Sequence, residues 1–340
     1  MRLKLTKIIS LLWLVFFSQT PALASNSNPE LQAVLRDLMT WWPGEYDTLA
    51  QVKIEQQQGA PPDGPHDRQY RVFARVNVPH IGENVIYGEV HSVNKDGPLI
   101  KGQQVLYIVS IDNEQQAVVV RGRRIKDGAL HEQAHLYPEK LHTLELDSAY
   151  GGNCDFRFRR YGRDLRGWLA NAGQAGTVCT MQSKVTGQTM TWDADWAITP
   201  SEIWVFDNGY LQNPAQPEKL GRLFAGREDR VAERLYKGRP FTCSIRGIAD
   251  GKELKNSAVR TVVLHDRGGE LNLGDFGSAG HKLRLLRLPQ PAPAPEYWAD
   301  VLTLSVVADV QDKTMMESRA TPWARTVKLN TDTLQARCKI

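Results

Sequence analysis

GNCDFRFRRYGRDLRGWL, from Gly152 to Leu169, and TVCTMQSKVTGQTMTWDADWAITPSEIWVFDNGY, from Thr177 to Tyr210, decide the fold. Cys154, Phe156 and Phe158 alternate with Asp155, Arg157 and Arg159. A period of two lets one face be buried while the arginines point the other way. Tyr161 to Asp164 reads as a turn, and Leu165 to Leu169 returns as a second strand. Cys179 opens a third strand, Met190 to Ile198 alternates again, and Glu202 to Phe206 is a fifth. Asp207–Asn208–Gly209 reads as the turn that stops it. Short strands at hairpin spacing predict an up-and-down antiparallel sheet that closes on itself.

The flanking sequence extends this pattern. Upstream, Tyr70 to Val78 and Val85 to Val90 alternate as strands, with Tyr87 and Glu89 on one face. Gln103 to Ile111 and Gln115 to Arg123 form a hairpin around Asp112–Asn113–Glu114. Asn28 to Met39 is helical, because Leu31, Val34, Leu35 and Leu38 recur at helical spacing before Pro43–Gly44. Val52 to Pro65 reads as a polar loop, and Leu220 to Tyr236 has a helical pattern. Downstream, Arg260 to Leu264, His281 to Leu288 and Val301 to Val310 read as strands, and Val327 to Ile340 as a final pair. Pro289 to Pro295 reads as a stiff linker. The expected fold is mainly β: an antiparallel barrel over residues 25–243 with a short N-terminal helix, and a C-terminal β extension or small domain over 244–340.

The pieces Gly152-Asn-Cys154, the arginine-rich strand after it, Gly167, Cys179 and Trp204-Val-Phe-Asp207-Asn-Gly209 resemble the CpcT/CpeT family of chromophore lyases. Leu38-Met-Thr-Trp-Trp-Pro-Gly44-Glu-Tyr46 is similar to that family's opening motif. The resemblance spans Leu31 to Cys243. It implies a calycin-like β-barrel that binds a linear tetrapyrrole and attaches it to a cysteine of an acceptor protein, and it suggests a homodimer. On it, Glu89 and Asp207 are the acid–base candidates, and Trp42, Tyr46, Tyr87 and Trp204 line the ligand pocket. Arg157 and Arg159 face either solvent or the ligand's carboxylates. The family's aromatic–arginine pair after Pro98 is replaced here by Leu99–Ile100.

Arg2, Lys4 and Lys7 precede an apolar run from Ile8 to Phe17, and Ala22-Leu-Ala24 follows. This pattern predicts a Sec signal peptide over residues 1–24 and a periplasmic or secreted protein. The run is too short to span a bilayer, and no later segment is apolar enough to do so. The chain carries 42 basic and 38 acidic residues. Without the leader the balance is nearly neutral, so nothing global indicates nucleic acid.

Four cysteines fit an oxidising compartment, and three pairings are possible. Cys154–Cys179 with Cys243–Cys338 is favoured, because each pair then stays within one expected domain. The alternative keeps Cys154 as a free thiol able to take a bilin. His131-Glu132-Gln133-Ala134-His135 matches HExxH. Lys126–Asp127–Gly128 just before it and Pro138 just after leave room for about two helical turns at most. The segment therefore reads as a solvated loop or edge strand, and no metal is assigned. Two functions follow: a bilin lyase, or an exported, non-enzymatic carrier of a small amphipathic ligand.

Overall fold

The structure, a computed structural model, describes residues 28–100, 103–147, 154–169, 179–182, 187–212, 221–249, 252–253, 259–291, 298–308, 312–321 and 323–340. The expected leader lies outside them. The fold is mainly β, with 53% strand against 15% helix.

The barrel is built from β1 (Gly44–Asp47), β2 (Gln69–Val76), β3 (Asn84–Ser92), β4 (Val105–Asp112), β5 (Ala117–Arg124), β6 (Asp155–Tyr161), β7 (Asp164–Leu169), β8 (Thr180–Gln182), β9 (Thr189–Ile198), β10 (Glu202–Leu211), β11 (Leu223–Ala225) and β12 (Glu233–Lys237). Neighbours pair antiparallel from β1 to β7. β9 then pairs both β7 and β10, and β12 pairs both β10 and β1. That closes a ring of ten strands, with β8 and β11 added outside it.

Period-two alternation sets the lumen. Phe73, Ile86, Val118, Val120, Phe158, Trp196, Ile198, Ile203, Val205 and Leu235 converge inside. Gly167 lies opposite Phe158, and a Cβ there would meet its ring at 2.3 Å. Only glycine leaves room for that ring. Helix α1 (Pro29–Trp41) closes one end. The Asn28 side chain accepts from the Glu30 N–H, Pro29 sits at the first helical position, and Val34, Leu38 and Met39 enter the barrel core. Trp42, fully buried, follows the helix. Its ring stands 4.7 Å from Tyr107 and 5.6 Å from both Phe73 and Trp196. These aromatics make the plugged end a solid core rather than a pore.

Three sequence expectations differ. The stretch expected as a loop from Val52 begins instead with a helix, α2 (Leu49–Gln58). Asp47 Oδ1 caps its Leu49 N–H at 2.8 Å, and Leu49 and Ala50 pack on Tyr236, Leu286 and Leu288. Leu220 to Tyr236, expected to be helical, holds β11 and β12, because Leu235 is needed in the barrel core and β12 completes the ring. Asp207–Asn208–Gly209 is not a turn. It continues β10 against β9 as far as Leu211. Asn208 spends its side chain on the Arg227 backbone, and Gly209 makes room for Trp192, 2.7 Å from where a Cβ would stand.

After the barrel the chain forms β13 (Pro240–Ala249), β14 (Lys252–Glu253), β15 (Arg260–His265), β16 (Arg267–Asn272), β17 (His281–Pro291), β18 (Trp298–Ala308), β19 (Lys313–Ala320), β20 (Thr326–Asn330) and β21 (Leu334–Lys339). These make a five-stranded and a four-stranded sheet that share one apolar core. Cys243 lies on β13, directly opposite Cys338 of β21, so this strand belongs to the C-terminal sheets and the last barrel strand ends at Lys237. Part of the expected proline linker, Pro289 to Pro291, extends β17, and the rest lies outside the described residues.

Buried ions join the two regions. Arg68 bonds Asp47 at 2.9 Å and Glu270 at 2.9 Å, and Arg284 bonds Glu270 at 2.6 Å. Burial pushes the Glu270 carboxyl up, but Arg68 and Arg284 outweigh it and hold it at about 2.

Candidate functional site

Away from the α1 plug the lumen holds a cavity of about 250 Å³. Its walls are mostly aromatic and apolar: Tyr107 of β4, Phe156 of β6, Trp192 and Trp196 of β9. The Cys154–Cys179 disulfide borders it, with Cys154 just before β6 and Cys179 just before β8. Disulfides at both expected pairs leave no free thiol among the cysteines, so the reading of Cys154 as a bilin acceptor falls. Two cystines are the framework of a protein from an oxidising environment. No described helix is long and apolar enough to cross a membrane.

Arg71 of β2, Arg124 of β5 and Asp207 of β10 are polar residues of the cavity, and Glu89 of β3 and Gln103 also border it. Arg71 pairs with Glu233 of β12 and with Gln69 Oε1 at 2.8 Å. Asp207 Oδ1 is shielded from solvent and has no hydrogen-bond partner. Burial pushes the Asp207 carboxyl up to about 7, against the downward pull of a hydrogen bond from Trp192 and of the Arg71 charge. A second, more polar cavity of about 570 Å³, bordered by Asp63, His66, Arg227 and Glu233, shares Asp207 with the first. Asp207 therefore stands between an apolar chamber and a polar mouth.

The remaining sequence candidates divide cleanly. Trp42 and Tyr46 face inward but belong to the plug; the Tyr46 hydroxyl donates to the Trp42 carbonyl at 2.8 Å. Tyr87 and Glu89 project from the outer face of β3, since Ile86 between β2 and β4 takes the lumen side. Arg157 and Arg159 also point outward, because Phe156 and Phe158 occupy the inward parity. Arg157 bonds the Gln115 side chain, and Arg159 donates to the Gln115 and Gln116 carbonyls. Trp204 is exposed, with the Arg234 guanidinium 4.5 Å from its ring. Of the acid–base and ligand-binding candidates, only Asp207 reaches the cavity with its side chain. Arg71 and Glu233 were not singled out by sequence, although Arg71 shares the parity of Phe73 and so carries a charge on an inward face.

No protein-family model and no curated protein matches this chain. Among solved structures it is similar to the selenomethionine form of the CRL protein of Arabidopsis, at 15% identity and a TM-score of 0.41, over 61% of this chain and 96% of that one.

Proposed function

We propose that the barrel is an exported, non-enzymatic carrier that holds a small amphipathic ligand in its lumen. The observation that carries this reading is the cavity itself: aromatic walls around a buried carboxyl oxygen that lacks a donor. A pocket lined mainly by apolar and aromatic groups, with few placed polar ones, is the usual form of a small-molecule site. A buried acceptor without a partner is costly, and a ligand N–H or O–H would satisfy it. At about 250 Å³ the chamber is smaller than the ~300–1,000 Å³ that holds drug-sized ligands. That supports a compact ring compound over a four-ring bilin. Bilin attachment has less support, since the Glu89 carboxyl is turned to the outer face, where it accepts from Tyr87 and Gln133, and Cys154 is bonded to Cys179. The residue pattern before Ser25 and the two cystines support export.

Anilinonaphthalene sulfonate, a small amphipathic ring compound, tests the reading, with biliverdin as competitor. Gly122 borders the cavity, and a Cβ there meets only ordinary contacts, the closest being Val105 at 3.7 Å. Gly122→Val should fill the chamber without unfolding the barrel. We expect saturable probe fluorescence in the native protein and its loss in Gly122→Val. Equal binding by both proteins would sink the lumen reading, and displacement by biliverdin would restore the bilin one.

A further inference from the structure

The outer face of the five-stranded C-terminal sheet concentrates positive charge. Period two turns Cys243, Ile245, Val327, Leu329, Ala336 and Cys338 into the apolar core. The residues between them on β13, β21 and β20 face outward and line up in cross-strand rows. Thr242, Lys339 and Thr326 make one row, and Ser244, Arg337 and Lys328 make the next. Arg246, Gln335 and Asn330 follow. Lys339, Arg337, Lys328 and Arg246 are cations, and no carboxylate shares these rows. The formal net charge of the whole chain is only +4, so the concentration is local.

Lys328 and Arg337 stand directly opposite each other on neighbouring strands, and both are exposed. Like charges in that relation repel and weaken the sheet. Elsewhere the chain relieves its cations with carboxylates, as in Arg71–Glu233, Arg234–Glu202 and Arg284–Glu270. Among the described residues neither Lys328 nor Arg337 has an ion-pair or hydrogen-bond partner. The two border instead a surface cavity of about 420 Å³, within the size range of small-molecule sites. Ser244, Gln335 and Asn330 border it too, and each offers both donors and acceptors. No aromatic side chain and no carboxylate lines it.

We propose that this cavity binds a phosphorylated sugar, with the phosphate held between Lys328 and Arg337 and the hydroxyls on Ser244, Gln335 and Asn330. An oxyanion at that point turns the repulsion of the two cations into attraction. The guanidinium can grip two oxygens at once, and the ammonium adds a point charge. Hydroxyl and amide side chains match the mixed donor and acceptor character of sugar hydroxyls. A nucleobase would need a ring to stack on, and the lining has none. The site shares no residue with the lumen or its polar mouth, so it stands whether or not the barrel carries a ligand.

The test is calorimetric titration of the whole oxidised protein with glucose 6-phosphate and ribose 5-phosphate, with inorganic phosphate and glucose as comparisons. A sugar phosphate should bind at one equivalent, about tenfold or more tighter than inorganic phosphate, and glucose should not bind. Lys328→Gln and Arg337→Gln should each weaken binding by about tenfold or more, since each removes a hydrogen bond to a charged group. Both positions are exposed and belong to a repelling pair, so the fold should survive. Gln335→Ala should weaken sugar phosphate about fivefold and leave inorganic phosphate unchanged. Removing two exposed cations of the barrel, by Arg163→Gln with Arg166→Gln, should change nothing. Absence of binding by both sugar phosphates, equally tight binding of inorganic phosphate, or undiminished affinity in Arg337→Gln would each overturn the assignment.

Discussion

Asp207→Asn should make the barrel more stable, and increasingly so as pH rises. The folded carboxyl ionises at about 7 against an ordinary value of 3.8. The folded state therefore holds a proton that the unfolded chain releases between those values. Stability from this group is complete below pH 4, falls as pH rises through 4 to 7, and stays low above 7. The shift of about three pH units corresponds to about 4 kcal/mol over the whole span, and about 3 kcal/mol of it falls between pH 4.5 and pH 8. Asparagine keeps the shape of the protonated acid and can still accept from Trp192, but it never ionises. The gap between variant and native stability should thus widen by about 3 kcal/mol from pH 4.5 to pH 8. Urea unfolding of the oxidised protein, followed by tryptophan fluorescence, reads this directly, because Trp192 and Trp196 line the same cavity. A gap that stays constant across this range would refute the reasoning. It would mean that Asp207 is already ionised in the fold and neutralised by Arg71.

Gly167→Ala should lose about 1–3 kcal/mol in the same unfolding assay, because its Cβ would overlap the Phe158 ring. Arg68→Ala should cost about 3–5 kcal/mol, since it strips Asp47 and Glu270 of a shared buried partner. Replacing Cys154 and Cys179 by serine opens a 25-residue loop and should lower stability by about 3.5 kcal/mol; the 95-residue closure by Cys243–Cys338 should be worth about 4.7 kcal/mol. Comparing each serine pair with the native protein, without reductant, separates the two contributions.

The alternating strands were legible because each carries its burial in its own spelling. FRFRR, RVFARV and TMTWDADWAI need no tertiary context to show period two. Helix α2 was not legible, because its apolar buried residues are only Leu49, Ala50 and Val52, and it buries the polar Gln51 and Glu55 beside them. Strand β12 reads as a charged helix until ring closure demands Leu235 on the inside. Asp207–Asn208–Gly209 has the residue types of a turn, yet here Asn208 is absorbed by Arg227 and Gly209 by Trp192. The site was legible only in part for a similar reason. Sequence places Tyr87 with Glu89, and Arg157 with Arg159, on common faces, but closure alone decides which face is the lumen. Asp207 reached the cavity because β10 carries Ile203 and Val205 on the same parity.

The two cystines join cysteines that are consecutive in the chain, first with second and third with fourth. A chain that emerges N-terminus first can therefore oxidise in order of appearance. Cys154 and Cys179 can be bonded before Cys243 arrives, leaving it no wrong partner. Cys338 follows Cys243 by 95 residues, so the second bond must wait until the strands between them have been made. A chain arrested between the two would carry an unpaired Cys243 thiol, a chemical flag by which it can be told from a chain in which the C-terminal sheets have closed.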